Sequence, residues 1–282
     1  MGMSVTPTGV ACGAVVSGID LRGGPSEAEA AALRTHWLEH KVLVFPDQRL
    51  GNADLEAFTL AFGGFGEDPF FDPIEGHSNI AAIERLADET TPIFAGFFHS
   101  DWSFLEVPPA GTCLYGIEIP PVGGDTLFAD QVAAYSGLPD ELRDKADRLT
   151  AIHSAALGYA PDGAYGEADQ DAGRSMKIVT SERAYERRSH PFVRTHPETG
   201  ERALYSSPAY IVGFEELDEQ ESRLTLMEFY REQTRDEYVY AHKWEPNMLV
   251  VWDNRSTLHS ATGGYDGHHR LLHRTTIADT RF

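Results

Sequence analysis

The stretch Phe97-Phe98-His99-Ser100-Asp101-Trp102-Ser103-Phe104 sets a histidine and an aspartate two positions apart in a segment that resembles a β-strand. Side chains two positions apart project from the same face of a strand, so His99 and Asp101 are predicted to lie side by side. A neutral imidazole and a carboxylate on one face can bind one divalent metal ion. Two protein ligands leave such a site incomplete, so a third ligand is expected from a distant part of the chain.

The best candidate for this third ligand is His259, which ends the stretch Trp252-Asp253-Asn254-Arg255-Ser256-Thr257-Leu258-His259. Two histidines and one carboxylate form the open-sided facial triad that is typical of non-heme Fe(II) oxygenases. The remaining coordination positions are then free for a bidentate co-substrate and dioxygen. The alternative is a structural His–Asp pair, because 12 histidines and 44 acidic residues make chance pairs common in this chain.

Two arginines follow His259 closely. Arg270 lies 11 residues after it and Arg274 lies four residues further on, in His268-His269-Arg270-Leu271-Leu272-His273-Arg274-Thr275-Thr276. Positions 270, 272 and 274 share one face of a strand. If that face is internal, both guanidinium groups need anionic partners, and two carboxylate-bearing ligands would supply them. The alternative is a strand edge that faces the solvent.

The composition limits the class of protein. The chain has 23 basic and 44 acidic residues, a formal net charge of −21, which argues against nucleic acid or an anionic membrane as a partner. Its two cysteines, Cys12 and Cys113, indicate neither a disulfide framework nor a zinc site. No apolar run of 18 residues and no apolar signal segment occur, so a cytoplasmic protein is expected.

Short strands dominate the rest of the chain. Ser26 and Glu29 form a capping box that predicts a helix, and Asn52 is a candidate cap for a second helix that ends near Phe62. Further helices are predicted over 138–149 and 218–231, and strands over 41–45, 248–252 and 271–277. Many short strands with few helices favour one mainly β domain, a β-sandwich or jelly-roll barrel, over residues 1–282. Residues 69–92 are either a loop at the rim of a site or a connector, and residues 155–190 are either a cover over the site or a surface excursion.

An ordered set of motifs spans nearly the whole chain: Thr6-Pro7-Thr8-Gly9, Gly18-Ile19-Asp20-Leu21, His99-Ser100-Asp101, Gly123-Gly124-Asp125-Thr126, Arg194-Thr195-His196-Pro197-Glu198-Thr199-Gly200, and Trp252-Asp253-Asn254-Arg255 with His259, Arg270 and Arg274. In this order the motifs resemble the taurine dioxygenase / aryloxyalkanoate (2,4-D) dioxygenase family of Fe(II)- and 2-oxoglutarate-dependent enzymes. The resemblance implies a double-stranded β-helix (jelly roll) with flanking helices, and a homo-oligomer.

The resemblance also implies residue roles. His99, Asp101 and His259 would hold Fe(II), and Thr126 and Arg270 would bind the distal carboxylate of 2-oxoglutarate. Arg274 would bind the acidic group of a small organic substrate. That substrate would be hydroxylated with dioxygen, releasing succinate and CO2. A carboxylate at position 101 favours hydroxylation over halogenation, because related halogenases have a small residue there.

The substrate pocket departs from the pattern of taurine-specific members. Where those enzymes present His-Pro-x-Tyr, this chain has Asp68-Pro69-Phe70-Phe71, and an aspartate there would repel a sulfonate. Phe71, Phe97, Phe98 and Tyr205 are predicted to line an apolar pocket that suits an aryl or alkyl carboxylate anchored by Arg274. Alternatively, Asp68 would meet the amine of an amino-acid-like substrate, or the chain would still act on taurine or an alkylsulfonate.

Two hypotheses of other classes stay open. A metal-dependent hydrolase or isomerase on a barrel would use the same metal ligands without oxygen, but it gives Thr126 and Arg270 no role. A non-catalytic barrel that binds a small acid would keep the arginines and tolerate the change Asp101→Ala. No G-x-S-x-G motif, P-loop or dinucleotide-binding fingerprint supports a serine hydrolase or a nucleotide enzyme.

Overall fold

The computed structural model describes residues 2–281, and strands outnumber helices in it. The strands are β1 (Ser4–Pro7), β2 (Ala14–Ser17), β3 (Val42–Phe45), β4 (Ala81–Arg85), β5 (Gly111–Glu118), β6 (Thr126–Asp130), β7 (Thr150–His153), β8 (Arg188–Pro191), β9 (Val193–Thr195), β10 (Arg202–Leu204), β11 (Ile211–Phe214), β12 (Val239–His242), β13 (Leu249–Asp253), β14 (Thr257–Ala261) and β15 (Arg270–Ile277). The α-helices are α1 (Glu27–His40), α2 (Asn52–Phe62), α3 (Gln131–Ser136), α4 (Asp140–Ala146), α5 (Ala156–Tyr159), α6 (Glu167–Asp171) and α7 (Glu219–Gln233).

The main sheet has seven strands in the order β1-β2-β3-β13-β5-β15-β4. Its neighbours pair antiparallel, except that β2 and β3 run parallel. A three-stranded sheet, β12-β6-β14, is antiparallel throughout. Smaller sheets are formed by β11-β7-β8 and by β10-β9. The architecture is mainly β with flanking helices, as predicted.

The alternation along β3 shows how the layers are held together. Leu43 and Phe45 face a core cluster formed with Trp37 of α1 and with α2. Val42 and Val44 face the opposite cluster, which includes Phe128 of β6, Trp252 of β13 and Leu272 of β15. The main sheet is therefore covered by helices on one face and by the β12-β6-β14 sheet on the other.

The predicted helices are confirmed with small changes at their ends. Ser26 and Glu29 form the capping box of α1, with both reciprocal hydrogen bonds present. Helix α2 is capped at Gly51 rather than Asn52. Several elements were not predicted, among them helix α3, and strand β4 within the irregular segment 69–92, where β4 pairs with β15. Within residues 2–281, no helix is long and apolar enough to cross a membrane.

Candidate metal centre

His99 and His259 meet across a single β-bridge rather than a continuous ladder. The amide of His99 donates to the carbonyl of His259 at 2.9 Å, and the amide of His259 donates back at 2.8 Å. His259 belongs to β14, but the strand predicted through His99 and Asp101 is wrong, because Asp101 begins a turn in which Trp102 has a φ of 48°. The turn, and not the strand period, presents the carboxylate beside the imidazole.

The three predicted ligands converge on one point. Asp101 Oδ1 lies 3.6 Å from His99 Nε2 and 3.7 Å from His259 Nε2. One donor atom from each of the three residues lies within 4.8 Å of the others, and all three side chains are buried. Each donor atom is therefore within reach of a single ion placed between them.

The hydrogen bonds of two of these side chains leave the converging atoms free. His99 Nδ1 donates to the Phe97 carbonyl at 2.8 Å, which leaves the Nε2 lone pair for a metal. Asp101 Oδ2 accepts from the Thr112 hydroxyl at 2.6 Å, so Oδ1 is the oxygen that faces the two imidazoles, with Arg274 Nη2 3.2 Å from it. His259 Nδ1 is buried without a hydrogen-bond partner in the described chain, so that ring is held by packing, for example against Trp252 at 4.6 Å. The donor set, two imidazole nitrogens and one carboxylate oxygen, fits a divalent transition metal.

The protonation states also fit a metal. Burial and the neighbouring His99 together lower the pKa of His259 to about 3, although the nearby Asp101 carboxylate opposes the shift. Burial alone would raise the pKa of Asp101, but Arg274 and His259 hold it well below its usual range. At neutral pH the site therefore presents a neutral imidazole and an ionised carboxylate, which are the forms that bind metals.

Arg270 lies in the same cavity as the three ligands and is buried without an ion-pair partner among residues 2–281. Its Nη2 donates to the Gly124 carbonyl at 3.1 Å, its Nε has no hydrogen-bond partner, and its guanidinium lies 5.8 Å from the Tyr265 ring. Burial lowers the pKa of Arg270. Thr126 lines the same cavity, and its oxygen accepts a hydrogen bond from Trp244 at 2.9 Å. Arg270 and Thr126 therefore provide hydrogen-bond donors to this part of the cavity that an anionic ligand could use.

Arg274 also faces the cavity, but it is engaged. Its Nη1 contacts both oxygens of Asp68, at 2.5 and 2.7 Å, whereas its Nη2 lies 3.2 Å from Asp101 Oδ1 as an ion pair without a hydrogen bond. The guanidinium lies 5.1 Å from each of the rings of Phe71 and Trp102. The prediction that positions 270, 272 and 274 share one face is confirmed, and of the two alternatives left open the buried face is observed and the solvent-facing edge is wrong.

The predicted substrate residues separate in the structure. Phe71 lines the cavity, whereas Asp68 lies behind Arg274 and lines a neighbouring cavity that Phe71 also borders. Tyr205 does not reach the site: it is buried against His153 and beneath Arg194, so its placement in the substrate pocket is corrected. Phe97 is 47% exposed and stacks on a tyrosine of α7, and Phe98 does not line the cavity either.

Several cavity residues had no signal in the sequence. They are apolar or aromatic side chains from separate segments: Ile83, Phe94, Leu114, Tyr159, Met176 and Tyr265. Tyr159 and Met176 belong to the segment 155–190, which has weak periodicity, and only the fold brings them to the metal centre. The cavity therefore has an aromatic and aliphatic wall in addition to its charged groups.

The remaining motif residues support this frame. Asp253 receives hydrogen bonds from Arg255, and it contacts His196 Nε2 at 3.0 Å. Arg255 also contacts Glu198 at 3.0 Å. These buried contacts join the 196–200 loop to the turn between β13 and β14, which carries His259. Their role is to hold the backbone of the site.

Known proteins are similar to this chain in both sequence and fold. The family described as "Taurine catabolism dioxygenase TauD, TfdA family" matches residues 4–276. The chain is 34% identical to an alkylsulfatase of Acinetobacter baylyi (94% of this chain, 82% of the relative) and 31% identical to an alpha-ketoglutarate-dependent sulfate ester dioxygenase of Pseudomonas putida (98% and 89%). It is 32% identical to an alpha-ketoglutarate-dependent 2,4-dichlorophenoxyacetate dioxygenase of Cupriavidus pinatubonensis (94% and 93%).

Solved structures agree with the sequence matches. A taurine dioxygenase from Burkholderia xenovorans superimposes with a TM-score of 0.80 at 28% identity, covering 99% of this chain and 91% of the other. AAD-2 in complex with Mn(II) and N-oxalylglycine gives a TM-score of 0.78 at 29% identity, covering 99% and 98%. With its converging His-Asp-His donors, the chain belongs to the TauD/TfdA family and is a dioxygenase that depends on Fe(II), O2 and 2-oxoglutarate (alpha-ketoglutarate).

Proposed function

We propose that this enzyme hydroxylates a carbon of a small organic molecule bound between the metal centre and the aromatic wall of the cavity. In the proposed reaction one atom of O2 enters a C–H bond of the substrate. The other atom enters succinate, which forms from 2-oxoglutarate with loss of CO2. The observation that carries the proposal is one cavity that holds the buried His99, Asp101 and His259 donors together with Arg270, a buried arginine that has no anionic partner among residues 2–281.

Arg270 supports a carboxylate ligand at the end of the cavity that it lines. A buried guanidinium without an anion costs several kcal/mol, and a bidentate carboxylate would offset that cost. Thr126 adds a hydroxyl donor, because its oxygen already accepts from Trp244. We assign both residues to the distal carboxylate of 2-oxoglutarate.

Fe(II) held by His99, Asp101 and His259 would bind the keto-acid end of 2-oxoglutarate and activate dioxygen. The chain's own share is positioning and the exclusion of water. Phe71, Tyr159 and Met176 close the cavity with apolar surface and would hold the substrate carbon near the metal position.

The names of the relatives favour sulfate esters and aryloxyalkanoates, which are acids. For this chain, an acidic substrate anchored by Arg274 stays a prediction, and the ion pair with Asp68 counts against it. The amino-acid alternative required a free Asp68 carboxylate, and both of its oxygens are already in contact with Arg274.

The proposal also includes expectations about the fold, the segment 155–190, and the location and oligomeric state of the protein. The sheets would form a double-stranded β-helix in one domain, consistent with the superposition on dioxygenase structures. Residues 155–190 would act as a cover, since Tyr159, Arg174 and Met176 lie on the cavity. A cytoplasmic homo-oligomer remains the expected form.

The test is succinate release from 2-oxoglutarate, measured with and without Fe(II) over sulfonates, aryloxyalkanoates, their neutral amides and amino acids. We expect succinate only with Fe(II), and more of it with one substrate class. Activity that never consumes 2-oxoglutarate would favour the hydrolase or isomerase hypothesis. In the non-catalytic hypothesis, the Asp101→Ala protein would bind ligand as before and neither protein would form succinate.

A further inference from the structure

Asp68 is placed where it cancels the charge that an anionic substrate would need. Both of its oxygens contact Arg274 Nη1, and Trp102 Nε1 donates to Oδ1 at 2.7 Å. Burial raises the pKa of Asp68, whereas the Arg274 and Trp102 contacts oppose that shift, because every partner in them is a donor and favours the ionised carboxylate. The Arg274 side chain is only 5% exposed and that of Asp68 is 20% exposed, so water screens this ion pair weakly.

The formal charges around the metal position support the same conclusion. A divalent metal, Asp101, Arg274 and Asp68 together carry one positive charge. The dianion 2-oxoglutarate and Arg270 then bring the sum to zero. The other two arginines on the cavity do not alter it, because Arg85 and Arg174 pair with Glu89 and Asp169. An anionic substrate would therefore add an uncompensated charge to a buried site, which is unfavourable.

The rest of the cavity suits an uncharged ligand. Phe71, Phe94, Tyr159 and Met176 supply its wall, and Leu114 and Ile83 extend the apolar surface. Tyr159 and Phe71 pack directly on each other, with ring centroids 6.3 Å apart. An aromatic or aliphatic neutral molecule would bury its surface here without a counter-charge.

We propose that Asp68 is a specificity-determining residue that neutralises Arg274 from behind, so that this enzyme selects an uncharged small organic substrate over an anionic one. The proposal rests on the proposed function, because it names the substrate class of that site. Asp68 acts through Arg274 and does not touch the substrate.

The experiment compares a matched pair of ligands, phenoxyacetate and phenoxyacetamide, which differ in charge and share the ring. Their affinities are measured by calorimetry on protein loaded with Zn(II) and 2-oxoglutarate, where no oxidation occurs. We expect the wild-type protein to prefer the amide. The D68N variant keeps the shape of the side chain and removes its charge, so it should shift the acid-to-amide affinity ratio about ten- to hundredfold towards the acid.

The control is D72N, which removes an exposed aspartate of the same segment that makes no side-chain contact with Arg274. Its affinity ratio should equal that of the wild type. Circular dichroism and Zn(II) binding would check that D68N is folded and holds metal. A ratio that D68N leaves unchanged, whatever the absolute affinities, overturns the proposal.

The result that would contradict the proposed function differs from the result that would contradict the role of Asp68. If the Fe(II)-loaded wild type forms no succinate with any substrate class, the dioxygenase reaction proposed for this cavity is wrong. The ligand ratio on Zn(II) protein still reports on Asp68 in that case. A shifted ratio together with succinate release from the amide supports both conclusions.

Discussion

Arg270 and Arg274 lie four residues apart on the same buried face of β15, in opposite electrostatic surroundings. Arg270 has a carbonyl and a tyrosine ring as neighbours and no carboxylate partner among residues 2–281. Arg274 has two carboxylates, Asp68 at 2.5 Å and Asp101 at 3.2 Å. Burial lowers the pKa of Arg270, whereas the two carboxylates overcome the effect of burial and raise the pKa of Arg274.

The contrast separates a ligand site from an internal ion pair. A buried cation that the protein leaves unpaired is costly, so its retention indicates an anion that binds from outside. A buried cation that is already paired with two carboxylates of the protein does not need an anionic ligand. From residue type and spacing the two arginines look alike, and the family resemblance gave both of them an anionic ligand. The structure supports that assignment at position 270 and weakens it at position 274.

The largest effect is expected at the metal ligands. In the proposed site 2-oxoglutarate binds the metal at one end and Arg270 at the other, so loss of the metal would remove both contacts. His259→Ala removes one of three donors and should weaken Zn(II) or anaerobic Fe(II) binding by more than about a hundredfold, since loss of an outer contact alone costs about ten- to hundredfold. Turnover and tight 2-oxoglutarate binding should fall together. The control is His268→Ala, an exposed histidine outside the site. Undiminished metal binding in His259→Ala would remove the metal centre from this cavity.

Next comes Arg270 itself. Arg270→Met keeps the apolar stem and removes the charge, so the 2-oxoglutarate concentration for half-maximal turnover should rise by about ten- to hundredfold, the loss of charge-assisted hydrogen bonds worth about 1.5–3 kcal/mol. The free energy of unfolding, measured in urea without ligand, should not fall, because no anionic partner is left behind. A large loss of stability with an unchanged 2-oxoglutarate requirement would reverse the comparison.

Arg274 should behave in the opposite way. Arg274→Met strands Asp68 and should lower the free energy of unfolding by about 3 kcal/mol, the usual cost of breaking a buried ion pair from one side. The double variant with Asp68→Asn should recover part of that loss, which a double-mutant cycle in urea would measure. Additive effects of the two substitutions would mean that the contact seen here carries no coupling energy.

The sequence predicted those parts of the site that local patterns can encode. Period two along β15 predicted that Arg270 and Arg274 share one face, without deciding whether that face is buried, and the ordered motifs predicted that His259 joins His99 and Asp101. The capping box at Ser26 follows from a four-residue signal. The turn at Trp102 was missed, because a positive φ at a tryptophan has no local signature.

Long-range pairings had no such signal. The partner of Arg274 lies 206 positions earlier in the chain, in a segment without periodicity, and many acidic residues were equally plausible from spacing. Tyr205 was misplaced for the same reason. It follows β10, and its ring lies 4.6 Å from the Arg194 guanidinium, so Tyr205 packs in the protein interior and does not line the cavity. Local sequence patterns do not indicate which distant side chains contact each other in the folded protein.

The smallest predicted effect tests how closely Arg270 is positioned by its carbonyl acceptor. Gly124 has a φ of +70°, and a Cβ there would lie 3.1 Å from Arg270 Nε. Gly200 has a similar φ of +75° with open space around it, so Gly200→Ala is the matched control for backbone strain alone. Both alanine variants should lose about 1 kcal/mol of stability. Gly124→Ala alone should raise the 2-oxoglutarate requirement, by about three- to tenfold, because displacing the guanidinium weakens part of a contact worth about 1.5–3 kcal/mol. Equal kinetics in the two variants would mean that the unpaired arginine tolerates displacement, and that its anion is held mainly by the metal.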